Sequence, residues 1–275
     1  VLRTSDKRAW LPTTRLFKTP DLAGLGAPGI ASAMDGEVDW GRVSPPKTAN
    51  LVGWYDAYDW RTIGMQGQSL GSAFSIWLNK ASTSGNSFLS QGVGVSRPIF
   101  GSRRIGPYWA VDFDGSTSYM DSEVLTATQV PARPMTMMLV ASMDSVSTTN
   151  RFLLNGTGNN RLGLYVNGTT GKLDGLVVGV TAVTGTLSVS TGIHVLGAAV
   201  SATQFNFLVD GTLAAVSNSS STSAGQMRVG YYSGGGAPDN LFDGAIGEIL
   251  IWNVELNSTE MGENYRYLKA KWGTP

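Results

Sequence analysis

The chain has 275 residues, enough for one large all-β domain or two small ones, and 42% of them are hydrophobic, so a core can be buried and general disorder is excluded. Twenty basic and twenty acidic residues cancel, which leaves no electrostatic footprint for nucleic acid or an anionic membrane surface. Cysteine is absent, so there is neither a disulfide framework nor a thiolate metal site.

Residues 1–47 come first and differ from the rest. They hold Pro12, Pro20, Pro28, Pro45 and Pro46, a piece "LAGLGAPGIASAMDG", and the isolated anchors Trp10, Leu16, Phe17 and Trp40. Neither a period of 2 nor one of 3.6 persists there. The segment reads as an extended arm lying on another subunit or on the domain's own surface, bounded by the Pro45–Pro46 pair. Its opening, "VLRTSDKRAWLPTTRL", lacks the apolar block of a secretory signal. With Val first, it reads as a trimmed intracellular product or as a mature chain without its leader. No apolar run approaches the eighteen or so residues of a membrane span.

Residues 48–275 read as strands. In "PMTMMLVASM", Met135, Met137, Leu139 and Ala141 share one face, while Met138 and Val140 share the other. Both faces are apolar, as in a central strand covered on each side. "RLGLYVNGTTGKLDGLVVGVTAV" predicts a strand, a turn at Asn167-Gly168, and one or two further strands. In "GIHVLGAAVSATQFNFLVDGTLAAVSN", Phe205, Phe207 and Val209 point one way, and Asp210-Gly211 supplies a reversal that tolerates positive φ. "QMRVGYYS" and "GAIGEILIWN" follow, separated by the Gly-rich "SGGGAPDNLFDG". Turn signals every eight to twelve residues or so predict a two-sheet antiparallel sandwich. At the end, Asn257 and Glu260 form a capping-box pattern, with Met261, Tyr265, Leu268 and Trp272 on one stripe, so a short amphipathic helix closes the chain.

"NLVGWYDAYDWRTI", "IWLNKAS", "VDFDGSTSYM" and "DGAIGEILIWNVELNSTEMGENYRYLKAKWG", in that order from Asn50 to Gly273, resemble the concanavalin A-like, laminin G-like jelly-roll domains. The resemblance implies one convex and one concave antiparallel sheet, with any ligand on the concave face or its rim loops. Such domains serve as carbohydrate-binding or adhesion modules of bacterial surface proteins and as bacteriophage structural proteins. Some relatives cleave β-glucans with a Glu-x-Asp-x-x-Glu strand, and a retaining mechanism needs two carboxyls about 5 Å apart. Counting from Glu248, the required positions hold Leu250 and Asn253, and the near match Glu37-Val38-Asp39 has Arg42 in the third slot. Glu248 therefore reads as a lone polar residue, hydrogen-bonded to a neighbouring strand or solvated at the rim, and the chain as no enzyme. The single histidine, His194, alternates with Leu196 and reads as a structural imidazole.

No cofactor is expected, though calcium stays open because it needs only oxygen ligands. Laminin G-like relatives often hold it at the rim, which makes Asp56, Asp59 and Asp114 candidates, with Asp56 and Asp59 placed in the loop after the first strand. Ordinary turn residues look the same. For a sugar, Tyr231, Tyr232, Asp239 and Asn240 in or beside the Gly-rich loop, and Asn159 in "NGTGNN", are the candidate contacts. The sequons at Asn155, Asn167, Asn218 and Asn257 read as turn and cap residues. The expected function is a non-enzymatic bacteriophage virion protein at the particle surface, on capsid or tail. It would be fastened to other virion subunits through residues 1–47, assemble as an oligomer, and present its jelly roll to cell-surface glycan. The alternative is a secreted bacterial carbohydrate-binding or adhesion module, and a glycoside hydrolase comes third.

Overall fold

Short segments punctuated by Gly, Asn and Asp become seventeen strands of two to ten residues, and one α-helix, among the described residues. A computed structural model describes residues 43–64, 69–81, 88–122, 132–146, 149–156, 162–177, 181–218, 225–232 and 238–274. One sheet contains β1 (Leu51–Asp56), β2 (Ser72–Ala73), β5 (Ile99–Ile105), β6 (Tyr108–Asp114), β8 (Met135–Met143), β13 (Gly192–Val200), β14 (Gln204–Val209), β15 (Thr212–Ser217) and β17 (Asp243–Trp252). The other contains β3 (Ile76–Leu78), β4 (Phe88–Ser90), β7 (Met120–Ser122), β9 (Arg151–Gly156), β10 (Leu162–Val166), β11 (Leu173–Val177), β12 (Thr181–Val183) and β16 (Met227–Val229).

The nine-stranded sheet runs β15-β14-β13-β8-β17-β6-β5-β2, and β1 pairs with the second half of β17, beyond the stretch that β6 occupies. The eight-stranded sheet runs β12-β11-β10-β9-β16-β7-β4-β3. All pairs are antiparallel, as in a jelly-roll sandwich. As the doubly apolar pattern predicts, β8 is central, flanked by β13 and β17. Met137 pairs with Ala198 and thereby shares the inter-sheet face of Phe207. Met138 shares the opposite face with Leu250, under the helix α1 (Ser258–Trp272). Asp210 and Gly211 take φ of 49° and 85°, the left-handed pair of a two-residue hairpin turn.

The helix begins as its sequence dictates. The Asn257 side chain accepts from the Glu260 amide, and the Glu260 carboxylate accepts from the Asn257 amide. Of the predicted stripe, Met261, Leu268 and Trp272 are buried and Tyr265 is half-buried; Asn264, Tyr267 and Lys271 are buried with them. Close approach requires Gly247 on β17, because a Cβ there would stand 2.9 Å from the Trp272 ring.

The domain is entered earlier than residue 48. Val43 packs against the core, Pro45 is buried, and the Lys47 carbonyl accepts from Trp252 Nε1 at 2.7 Å. The rest of the expected arm, residues 1–42, lies outside the described residues. Asn79 of the "IWLN" run ties β3 to β1: its Oδ1 accepts from the amides of Trp54 and Ala81, and its Nδ2 donates to the Val52 carbonyl. Among the described residues no helix is long and apolar enough to cross a membrane.

Candidate functional site

Glu248 lies under α1, away from solvent. It is fully buried, and four donors surround its two oxygens. Trp54 Nε1 (2.7 Å) and the Tyr267 hydroxyl (2.9 Å) donate to Oε1, while Trp272 Nε1 (2.8 Å) and Lys271 Nζ (2.8 Å) donate to Oε2. Burial pushes the carboxyl up and the Lys271 ammonium opposes that rise. With every lone-pair direction engaged by a donor, the ionised form is the one this geometry holds. The expected hydrogen bond from a neighbouring strand is present, from Trp54 on β1, while the alternative of a solvated rim residue is corrected: Glu248 sits in a sealed ionic cluster.

The calcium candidates are engaged in the same way. Asp56 is the last residue of β1 and fully buried, so its placement in the following loop is corrected as well. Its Oδ1 accepts from Lys271 Nζ at 2.8 Å and its Oδ2 from Lys80 Nζ at 2.8 Å. Asp59 pairs with Arg61 at 2.7 Å and with Lys80 at 3.3 Å. Asp114 accepts from the amides of Ser116, Thr117 and Ser118, and these bonds, with the Thr117 hydroxyl, hold its carboxyl far below the usual range. The chain's own cations and amides therefore occupy the oxygens that calcium would need. No group of three or more His, Cys, Asp or Glu side chains that could hold a metal exists among the described residues.

A different place collects polar and aromatic side chains: the outer face of the eight-stranded sheet. Strand alternation decides which residues reach it. In β7, Met120 enters the core and Asp121 points out; in β16, Met227 and Val229 enter and Arg228 points out. The register then joins Ser90, Asp121, Arg228, Asn155 and Gly163 into one row crossing five strands. Arg228 Nε is 3.7 Å from Asp121 Oδ1, and its guanidinium lies 5.0 Å from the Tyr231 ring centroid. Burial raises the Asp121 carboxyl, opposed by the Tyr231 hydroxyl and Arg228. Ser90, Tyr119, Asp121 and Arg228 are all half-buried, so this end of the face is reachable.

Beside that row the face closes over an aromatic cluster. Phe152 and Tyr165 stack at 4.6 Å with 13° between their planes, Leu176 joins them, and Tyr232 leans on Phe152 at 4.8 Å. Asn155 is 1% exposed, and neither its Oδ1 nor its Nδ2 has a partner among the described residues. Read from sequence as a turn residue, it is instead the fifth residue of β9, aimed out over Gly163.

The predicted sugar contacts fall around this cluster in different roles. Tyr231 is buried; its hydroxyl donates to Asp121 Oδ1 at 2.6 Å and its ring meets Tyr119 at 4.3 Å, so it positions Asp121 and offers no stacking face. Tyr232 is half-buried and exchanges two backbone hydrogen bonds with Asp239, at 3.0 and 2.8 Å. Asn240, with φ of 47°, accepts from the Phe152 amide. Those three meet at the rim. Asn159 lies outside the described residues. Asp121, Arg228 and Tyr119 escaped the sequence reading, and Asn155 entered it only as a turn residue. A groove of about 520 Å³ on the opposite sheet, lined by Leu213, Ala215, Leu256 and Met261 among others, carries no aromatic side chain.

His194 is satisfied structurally, with Nδ1 2.7 Å from Asp210 Oδ2 and Nε2 3.0 Å from the Ser190 carbonyl.

A family model described as the concanavalin A-like lectin/glucanases superfamily matches residues 114–262, more than half of the chain. Domain 4 of AbnA, a GH43 extracellular arabinanase from Geobacillus stearothermophilus solved with arabinotriose, superposes with a TM-score of 0.58 at 14% identity, over 78% of this chain and 98% of that one. The binding domain of botulinum neurotoxin serotype G gives 0.57 at 11% identity, over 82% of this chain and 54% of that one. A Trypanosoma rangeli sialidase in complex with the inhibitor DANA gives 0.54 at 17% identity, over 83% of this chain; the match spans about a third of the sialidase, 34%. At such identities these likenesses establish the fold alone. No curated protein matches by sequence.

Proposed function

The chain belongs to the concanavalin A-like lectin/glucanase superfamily, and from that premise we propose that it is a non-catalytic glycan-binding module. The observation that carries this reading is the outer face of the eight-stranded sheet, where Asp121, Arg228 and Tyr119 stand together in reach of solvent beside an aromatic cluster. A pyranose needs an apolar or aromatic surface against one ring face and fixed donors and acceptors for its hydroxyls. Hydrolysis needs more. The strands of this sheet carry two carboxylates, Asp121 on β7 and Asp174 on β11. Four inter-strand steps separate them, about 19 Å. Retaining and inverting mechanisms want about 5 Å and 6.5–9.5 Å respectively. Asp174 is also spoken for, accepting from Asn167 Nδ2 and the Gly185 amide at 2.8 Å each.

On a glycan array, the full chain is expected to retain a subset of oligosaccharides, and Arg228→Ala or Asp121→Ala to weaken that binding at least tenfold with the fold intact. Unchanged binding in both variants, or release of sugar from a bound oligosaccharide, would sink the proposal.

We place the module on a bacteriophage virion, with residues 1–47 fastening it to neighbouring subunits. The support is compositional: a leading segment rich in Pro and Gly with isolated aromatics orders itself only by spreading over a partner. Removing residues 1–42 is expected to leave a folded domain that no longer joins its particle. A second reading, a module of an extracellular bacterial protein, is favoured by the arabinanase domain, which is covered almost completely.

A further inference from the structure

We propose that Lys271 and Asp56 join through an intramolecular amide bond, covalently fastening α1 to β1. The two residues are 215 positions apart in sequence, and their side chains meet in a compartment sealed from solvent. Lys271 Nζ lies 2.8 Å from Asp56 Oδ1, which leaves the nitrogen close to van der Waals contact with the carboxyl carbon. Glu248 Oε2 is also 2.8 Å from Nζ, so the two carboxylates share the one amine. Lys80 Nζ, 2.8 Å away, holds the other Asp56 oxygen, Oδ2. Trp54, Tyr267 and Trp272 fix Glu248 and line the compartment with apolar surface.

These groups form a nucleophile, an electrophile, a proton carrier and an oxyanion partner. One ammonium proton of Lys271 passes along its hydrogen bond to Asp56 Oδ1, giving a free amine and a neutral acid. The nitrogen lone pair attacks Cγ, and the negative charge that gathers on Oδ2 is met by the Lys80 ammonium. Glu248 takes the second proton from nitrogen as general base and returns it to the Oδ1 hydroxyl as general acid. The Cγ–Oδ1 bond breaks, water leaves, and Glu248 ends as it began. An ammonium and a carboxylate have become an amide and water, so no oxidant or co-reactant is required. Burial assists by disfavouring the separated charges of the starting pair. The flanking carboxylates hold the proton on Lys271, so the free amine is scarce and the reaction slow; one turnover in the lifetime of each chain tolerates that.

The test is the intact mass of the full folded chain, measured after denaturation. The expected value lies about 18 Da below the sequence mass, the water lost on acylating the amine. Proteolysis should yield one branched peptide joining Asp56 to Lys271. Lys271→Arg should restore the full mass, and Glu248→Gln should leave a several-fold larger unreacted fraction. A wild-type mass equal to the sequence after days at neutral pH overturns the proposal, whatever the variants do. So does a deficit mapping to a linear peptide, the mark of a succinimide, or to Lys80 in place of Lys271.

Discussion

His194 is the only histidine in the chain, and with it the only side chain whose ordinary pKa lies between pH 5 and 8. Both of its ring nitrogens face acceptors, Asp210 Oδ2 at 2.7 Å and the Ser190 carbonyl at 3.0 Å, so the fold holds the imidazolium. The hydrogen bond to Asp210 raises its pKa against the opposing effect of burial. A group whose pKa is raised on folding stabilises fully below its unfolded value, near 6.5, and that stability is lost as pH climbs through the folded one. The interaction is a single charge-assisted hydrogen bond, worth roughly 1.5–3 kcal/mol when well shielded. Asp210 keeps 26% of its side chain exposed, so screening brings the expected contribution to about 1 kcal/mol. The slope cannot exceed about 1.4 kcal/mol per pH unit, the limit for one proton. Urea unfolding from pH 5.5 to 9 should show the stability difference between wild type and His194→Gln shrinking by that amount over the interval. Any other titrating group is common to both chains and cancels in the difference. Parallel profiles for the two would refute the assignment.

Gly247→Ala should press a methyl into the Trp272 ring, 2.9 Å away, and cost about 1–3 kcal/mol, seen as a lower melting temperature with altered tryptophan fluorescence. Asn257→Ala removes the acceptor for the Glu260 amide and should cost about 1 kcal/mol in urea unfolding. Because the Asp114 carboxyl is depressed in the fold, its contribution is present above the ordinary carboxylate range and is lost as pH falls. The stability gap between wild type and Asp114→Ala should therefore be widest near neutral pH and narrow in acid titrations below pH 4.

What the sequence revealed divides along the range of the interaction. Local signals were legible: Asn257 with Glu260 marked the helix start, Asp210-Gly211 the hairpin, and the two apolar faces of Met135–Met143 a central strand. Arg228 carried a readable mark too, a charge between Met227 and Val229 at strand period, which assigns it to an outer face; Asp121, between Met120 and Ser122, carried only half of that mark. That they stand opposite one another depends on the pairing of β16 with β7, more than a hundred residues apart, and no single-chain pattern encodes that register. Tyr231 and Tyr232 drew notice as adjacent aromatics beside a Gly-rich loop, yet the backbone lays one ring against Tyr119 with its hydroxyl on Asp121 and leans the other on Phe152. Asp56 and Glu248 stayed separate in the sequence for the same reason. Their meeting needs β1 laid against β17 and a helix closed over both.

The strand with the most neighbours is also the last of the described strands in chain order. β17 touches β8 along one edge and both β6 and β1 along the other, so until Trp252 has been synthesised the nine-stranded sheet exists only as three unjoined pieces, β15-β14-β13-β8, β6-β5-β2 and β1. Nucleation from early segments alone cannot finish this domain, and a nascent chain halted before Asp243 presents bare edges on β8 and β6 to whatever is near. Such long-range closure belongs with slow folding. A cell making this protein depends on β17 leaving the ribosome before the open edges of β8 and β6 are covered.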